Sequence, residues 1–234
     1  MTEEVAEKVL SEKDHSKSLV KLLEQVAYNK PISKVFADFV EMSAITIANS
    51  CTSHRDKKWD EREKCYLEII HSYKKEHQLL FPEMFSHLVL ELNKRESLVG
   101  PEDVLGQLYV EFELNEKRKA QMFTPQSVSD LMAFISLGSD IREIIRDRGF
   151  LTMAEPACGS GVMVTSMCKA MAKHNLNYQT QLLVTATDID IICVYMTYVQ
   201  LSLYGVPAVV IHGDTLTLDE WSRWYTPLHI LHGW

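Results

Sequence analysis

The segment Ala154-Glu-Pro-Ala-Cys-Gly-Ser-Gly161 lies between an apolar run, Phe150 to Met153, and a stretch with helical spacing. That order of strand, glycine turn and helix restricts the possible folds more than any other feature of the chain. Glycine reaches positive φ without strain and lets another group approach the backbone, so Gly159 and Gly161 mark a turn pressed against a ligand or a neighbouring strand. Pro156 fixes one φ and ends the strand, and the free amides at the start of the next helix can hold a carboxylate or another acceptor. Beyond the turn, Met163, Met167, Ala170 and Met171 recur on one helical face.

The spacing excludes the better-known uses of glycine-rich turns. A P-loop ends in Gly-Lys-Ser/Thr, whereas Val162 follows Gly161. A dinucleotide fingerprint needs a third glycine, and a nucleophile elbow centred on Ser160 would need glycine where Cys158 stands. Gln181 to Thr187 reads as the next strand and is followed at once by Asp188, an acid placed to bond ribose hydroxyls. Ala208 to Ile211, after Gly205-Val-Pro207, reads as a third strand leading into His212-Gly-Asp214. Acids at the ends of two strands beside a glycine turn line one edge of a parallel sheet, where open α/β folds bind ligands. The pattern calls for a nucleoside-like ligand.

Phe123-Thr-Pro125, the Glu-Pro-Ala-Cys-Gly-Ser-Gly turn, Asp188-Ile-Asp190 and Gly213-Asp-Thr-Leu216 together resemble, in order and spacing, the successive motifs of N6-adenine DNA methylases, specifically the modification subunits of type I restriction-modification systems. Val104-Leu-Gly-Gln-Leu-Tyr109 resembles the helix before the Phe-Thr-Pro motif there, so the likeness runs from about Asp103 to Leu216. The resemblance implies a Rossmann-like S-adenosylmethionine-dependent methyltransferase core of α/β class, with a doubly wound sheet, and S-adenosyl-L-methionine as cofactor. By that resemblance Phe123, Thr124 and Pro125 wall the methionine end, while Glu155 and the backbone of Pro156, Ala157, Cys158, Gly159, Ser160 and Gly161 hold its amino and carboxylate groups. Asp188 takes the ribose hydroxyls, Ile189 packs on adenine and Asp214 receives the adenine amino group. Asp190 is placed either as a further contact or as the cap of the helix carrying Ile192, Cys193, Met196 and Val199.

The resemblance stops short of the chemistry. An adenine amino nitrogen is a poor nucleophile because its lone pair is delocalised into the ring, and such enzymes flip the base out and stack it on an aromatic. An Asn/Asp-Pro-Pro-Tyr/Phe segment supplies both the acceptors that draw the amino group toward tetrahedral geometry and the stacking ring. No two prolines are adjacent in this sequence, and the only proline after Asp214 is Pro227. Trp224-Tyr-Thr-Pro-Leu228 lacks the acceptor in the required order, and Trp221, Trp224 and Tyr225 read as aromatics covering the end of a sheet. No catalytic residue is therefore assigned.

Three readings follow. The chain is an adenine-N6 methyltransferase completed by a partner or a missing segment, a cofactor-binding regulatory module in a DNA-modification or phage-defence complex, or an interaction protein that keeps the turn for packing. Acids at two strand ends argue against the last.

The remaining sequence bounds the partners. A formal net charge of -8 is poor for a solitary DNA binder, so DNA contact calls for a local patch, a partner protein or an oligomer. Lys117-Arg-Lys119, the Arg142, Arg146 and Arg148 group, and Lys57, Lys58, Arg62 and Lys64 are interleaved with acids and read as solvated faces. Residues 1–100 form an expected helical bundle ahead of a cofactor-binding core at 101–234. Its apolar positions are Val35, Phe36, Phe39 and Val40, then Cys65, Tyr66, Ile69, Ile70 and Tyr73, then Met84, Phe85, Leu88, Val89 and Leu92. Pro31, Pro82 and Gly100-Pro101 punctuate it. Five cysteines without a Cys-x-x-Cys pair indicate neither zinc nor a redox couple. Glu68-Ile-Ile-His71 reads as helix surface, and His229 and His232 as exposed side chains. Neither a signal peptide nor a spanning stretch is present, which predicts cytoplasmic residence.

Overall fold

The computed structural model describes residues 14–52, 54–113, 123–138 and 141–234. Helices α1 (His15–Val26), α2 (Ile32–Ser50), α3 (Lys57–His71), α4 (Lys75–Gln78) and α5 (Leu80–Val99) come first, followed by α6 (Val104–Glu113), α7 (Gln126–Leu137) and α8 (Ile141–Arg148). Short acids start two of them: Asp14 accepts from Lys17 N at 3.0 Å and Asp56 from Trp59 N at 2.7 Å, satisfying amides that the helix leaves unpaired. Gly100 ends α5 at φ 94°. The spaced apolar residues turn inward where a partner helix exists. Val35, Phe36, Phe39 and Val40 of α2 are all buried, whereas in α3 Ile70 is buried and Cys65, Tyr66 and Ile69 are half-buried. The outer face of α3 carries Lys57–Glu61 and Lys64–Glu68 pairs, with Glu68 and His71 exposed, so Lys57, Lys58 and Lys64 lie on a solvated face, whereas Arg62 is half-buried over the Trp224 ring at 5.1 Å. Lys117-Arg-Lys119 lies outside the described residues.

The sheet contains β1 (Leu151–Glu155), β2 (Leu182–Asp188), β3 (Ala208–Asp214) and β4 (Asp219–Tyr225) in that order. The first three are parallel, with Met153 opposite Val184 and Ala186 opposite Val210. The connections run through α9 (Val162–Lys173), short α10 (Tyr178–Gln181) and α11 (Ile191–Leu203). α9 packs on β1 and α7, while α11 packs on β2, β3 and, from its other side, α2. An element covered on two sides must be apolar nearly all round, and Cys193, Val194, Met196, Tyr198, Val199 and Leu201 of α11 are all buried. One face of the sheet is buried through Leu182, Val184, Ala186, Ala208, Val210 and Trp224. Thr152, Ala154 and Thr185, which alternate with that set, are exposed. One contiguous core runs from Leu19 to Trp224, and among the described residues no helix is long and apolar enough to cross a membrane.

The strands match the expected positions, and β3 continues three residues past Ile211 to Asp214. β4 was not expected. Its aromatics lie within a strand antiparallel to β3 instead of capping the sheet. Trp224 is buried against the rings of Tyr195 and Tyr198, at 5.1 and 5.4 Å, whereas Trp221 and Tyr225 are exposed. Asp219-Glu-Trp-Ser-Arg-Trp-Tyr225 shows no period-two pattern because Trp224 alone in the strand is buried, so neither face has to be apolar along its length. His229, in the terminal helix α12 (Pro227–His232), corrects a second expectation: it is buried beside Tyr225, ring centroids 5.2 Å apart, and burial lowers its pKa.

Candidate functional site

The parallel strands end where the glycine turn begins, and a cavity of about 150 Å³ opens there. It is lined by Phe123, Thr124, Ala157, Cys158, Gly159, Val162, Met163, Asp188 and Cys193. Gly159 and Gly161 adopt φ 55° and 96°, in the left-handed region that favours glycine. The turn is held from several sides. Cys158 N donates to Thr187 O at 2.9 Å and Gly161 N to Cys158 O at 2.8 Å. Thr197 Oγ1 donates to Gly159 O at 2.9 Å. Phe123 walls the opening, and a Cβ on Gly159 would sit 3.4 Å from its ring. Tyr109 of α6 fixes that ring edge to face at 5.4 Å.

Asp188 is the electrostatic centre. Its Oδ2 accepts from Gly159 N at 2.8 Å and its Oδ1 from Asp190 N at 2.9 Å, leaving each oxygen a further lone pair. Glu155 stands nearby, half-buried, and Ala157 N donates to its Oε1 at 3.4 Å. Burial raises the Glu155 pKa, the Ala157 amide opposes that shift, and the Asp188 charge adds to it. Burial also pushes the Cys158 thiol up to about 12, so this sulfur is a packing group rather than a nucleophile. Among the described residues the lining contains the Asp188 carboxylate and no Lys, Arg or His. That carboxylate suits a ligand that brings hydroxyls, an amine or another cationic centre.

Of the expected site residues, Phe123, Thr124, Ala157, Cys158, Gly159 and Asp188 meet in this cavity. Pro125 starts α7 just behind Thr124, and Pro156 O accepts from Thr215 Oγ1 at 2.6 Å. Ser160 is fully buried and Gly161 caps α9, so both shape the turn from behind. Ile189 is 61% exposed, its carbonyl 3.3 Å from His212 Nε2. Asp190 caps α11 by accepting from Ile192 N at 2.9 Å. Asp214 lies at the end of β3 outside the lining, where Oδ1 accepts from Leu216 N at 2.8 Å and Thr217 N at 3.4 Å. Val162, Met163 and Cys193 are lining residues that the sequence reading did not assign. Their signal was positional, since each falls in the first turn of a helix that follows the glycine turn or the Asp188-Ile-Asp190 segment. Trp224 and Tyr225 do not line the cavity, and among the described residues no group of three His, Cys, Asp or Glu is arranged to hold a metal ion.

The family model described as N-6 DNA Methylase matches residues 101–231, more than half of the chain. That span holds the cavity and every strand among the described residues. No curated protein matches the chain significantly. Among solved structures, a Listeria monocytogenes protein described as a class I S-adenosylmethionine-dependent methyltransferase aligns with 94% of this chain and 69% of its own, at 14% identity and a TM-score of 0.49. At that identity and score nothing about function follows from the alignment.

Proposed function

Because the chain belongs to the N-6 DNA methylase family, we propose that its cavity binds S-adenosyl-L-methionine and that the chain is the cofactor-holding part of a DNA adenine-N6 methyltransferase of the restriction-modification type. One observation carries the reading: Phe123, the Ala157–Gly159 turn and Asp188, far apart in sequence, line one cavity at the carboxyl ends of parallel strands. The cofactor supplies an activated methyl group when bound. In this reading the free lone pairs of Asp188 accept the ribose hydroxyls and Glu155 faces the amino group. Phe123 and Thr124 close off the methionine end, the exposed Ile189 packs on adenine, and Asp214, through its unused Oδ2, takes the adenine amino group. The Asp188 carboxylate in the lining suits the hydroxyls and cationic centres of such a ligand.

The tetrapeptide that would hold the target amino group has no counterpart in the sequence. We therefore propose that methyl transfer needs a partner or a segment that brings it, with residues 1–100 as a helical unit packed on the core. β1 is hydrogen-bonded to β2 alone among the described residues, and α7 leaves Val128, Leu131, Met132 and Ile135 substantially exposed. An open strand edge and an apolar helix face left exposed among the described residues support completion by another polypeptide. Since adjacent prolines are missing, the second reading is a binding module without catalysis in a DNA-modification complex.

Calorimetric titration of the purified chain with S-adenosylmethionine and S-adenosylhomocysteine tests the cofactor reading. Saturable one-to-one binding is expected. No heat and no thermal shift in a folded sample would overturn it. If binding is seen, methyl transfer to DNA with candidate partner subunits separates the two functional readings.

A further inference from the structure

Asp103 is buried and its amide donates to Gln126 Oε1 at 3.2 Å, yet it lies outside the cavity lining. Its Oδ1 accepts from Gly106 N at 2.8 Å, capping α6, and from Gln200 Nε2 of α11 at 2.9 Å. Its Oδ2 accepts from the hydroxyl of Ser160, which stands between the two left-handed glycines of the turn. Gln200 completes the unit. Its Nε2 also donates to Ser160 O at 2.8 Å, and its Oε1 accepts from Val104 N and Leu105 N at 2.8 and 3.0 Å. Asp103, Ser160 and Gln200 are all shielded from water, and a Cβ on Gly106 would fall 2.2 Å from Ser160 Oγ. Glycine at 106 is thus what lets α6 approach the turn.

Two left-handed glycines give residues 159–161 little preference of their own for one backbone path. The carboxylate of Asp103 and the amide of Gln200 hold Ser160 by both side chain and carbonyl, from the side away from the cavity. The same helix reaches the opposite wall through Tyr109 against Phe123, and Tyr109 itself packs on Phe36 of α2 at 5.8 Å. We propose that Asp103 is a positioning residue for the cofactor site, fixing Ser160 so that the turn presents its backbone to the ligand in one geometry, and that α6 ties that geometry to the amino-terminal helices. The proposal rests on the cavity being a cofactor site.

The test compares Asp103→Ala, Ser160→Ala and Asp103→Asn by titration with S-adenosylhomocysteine at a temperature well below every melting point. Val40→Ala, remote in α2, serves as a control for general destabilisation. Asp103→Ala and Ser160→Ala are each expected to weaken binding about tenfold or more, which is about 1.4 kcal/mol. Amide exchange in residues 157–161 should rise with them. Asp103→Asn keeps Oδ1 as acceptor and offers an amide to Ser160 Oγ, so affinity within about threefold of wild type is expected. Unchanged affinity in Ser160→Ala, or a loss matched by Val40→Ala, overturns the positioning role even if Asp103→Ala fails to fold. A wild-type chain that binds no cofactor overturns the cofactor reading itself, and this role falls with it.

Discussion

Asp188 and Asp214 are the last residues of neighbouring parallel strands, yet their surroundings differ. Asp188 lines the cavity and accepts from the backbones of two separate segments, the glycine turn and the start of α11. Asp214 accepts from the turn that follows it in sequence, and Leu216 and Leu218 of that turn are almost fully exposed. An acid at a strand end is therefore one sequence signal with two structural outcomes. What decides between them is whether another chain segment returns to the same strand end, as the Gly159 turn does for Asp188.

The largest expected effect tests that difference directly. Asp188→Ala removes a charged acceptor shared by the turn and the ligand, and hydrogen bonds to charged groups contribute about 1.5–3 kcal/mol each. Affinity for S-adenosylhomocysteine should fall at least about a hundredfold, or about 2.7 kcal/mol. Calorimetry with a parallel melting curve checks this. Unchanged affinity in a folded variant would remove Asp188 from the site.

Two glycines separate the regions next. In Gly159→Val the new side chain meets the Phe123 ring at a backbone φ of 55°, so affinity should drop by about tenfold or more. Gly213 sits at the β3–β4 irregularity, where a Cβ would lie 2.3 Å from Asp219 O. Gly213→Ala should therefore cost about 1–3 kcal/mol of stability by forcing the strands apart, with cofactor affinity nearly retained. If both variants lose affinity equally, the two strand ends are one cooperative site.

The cavity end was the more legible of the two in sequence because its constraints are local. Glycines, a proline and a strand-end acid announce a turn whatever lies around it, and the three parallel strands followed from short, largely apolar runs beside such signals. What escaped depends on remote partners. β4 lacks alternation because Trp224 alone in it is buried, and His229 packs beside Tyr225 of that same strand, which carries no period-two signal. Asp103 stands at the start of the family likeness, but its role comes from Ser160 and Gln200, which lie far along the chain.

Acid should loosen the two regions unequally. Behind the cavity, Lys169 of α9 bridges Glu102 and Asp130 at 2.8 and 2.9 Å, and Ser166 donates to Asp130 at 2.8 Å. Burial disfavours the Asp130 carboxylate, but bonds from Lys169, Gln126 and Ser166 outweigh it and hold its pKa below the ordinary 3.8. A depressed folded pKa means that this stabilisation is fully present above about 3.8 and is lost as pH falls through the folded value. Melting temperature should therefore drop in that acid range, with amide exchange rising in α7 and α9 before β3 and β4. Asp130→Asn should cost about 1–2 kcal/mol at neutral pH and flatten the acid limb. An unchanged acid limb in that variant would assign the sensitivity elsewhere.

The smallest effect belongs to Asp214, where the comparison is sharpest. Its Oδ1 serves the turn, and the proposed adenine contact rests on Oδ2. One hydrogen bond to an exposed amino group contributes about 1 kcal/mol, so Asp214→Ala should weaken cofactor binding about fivefold. Asp214→Asn separates the two jobs of the carboxylate. Its amide retains one oxygen to accept from Leu216 N and presents a donor, not an acceptor, toward the adenine amino group. Loss in both variants supports the adenine contact. Loss in Asp214→Ala with full affinity in Asp214→Asn would confine Asp214 to its turn and leave Asp188 as the strand-end acid that binds the ligand.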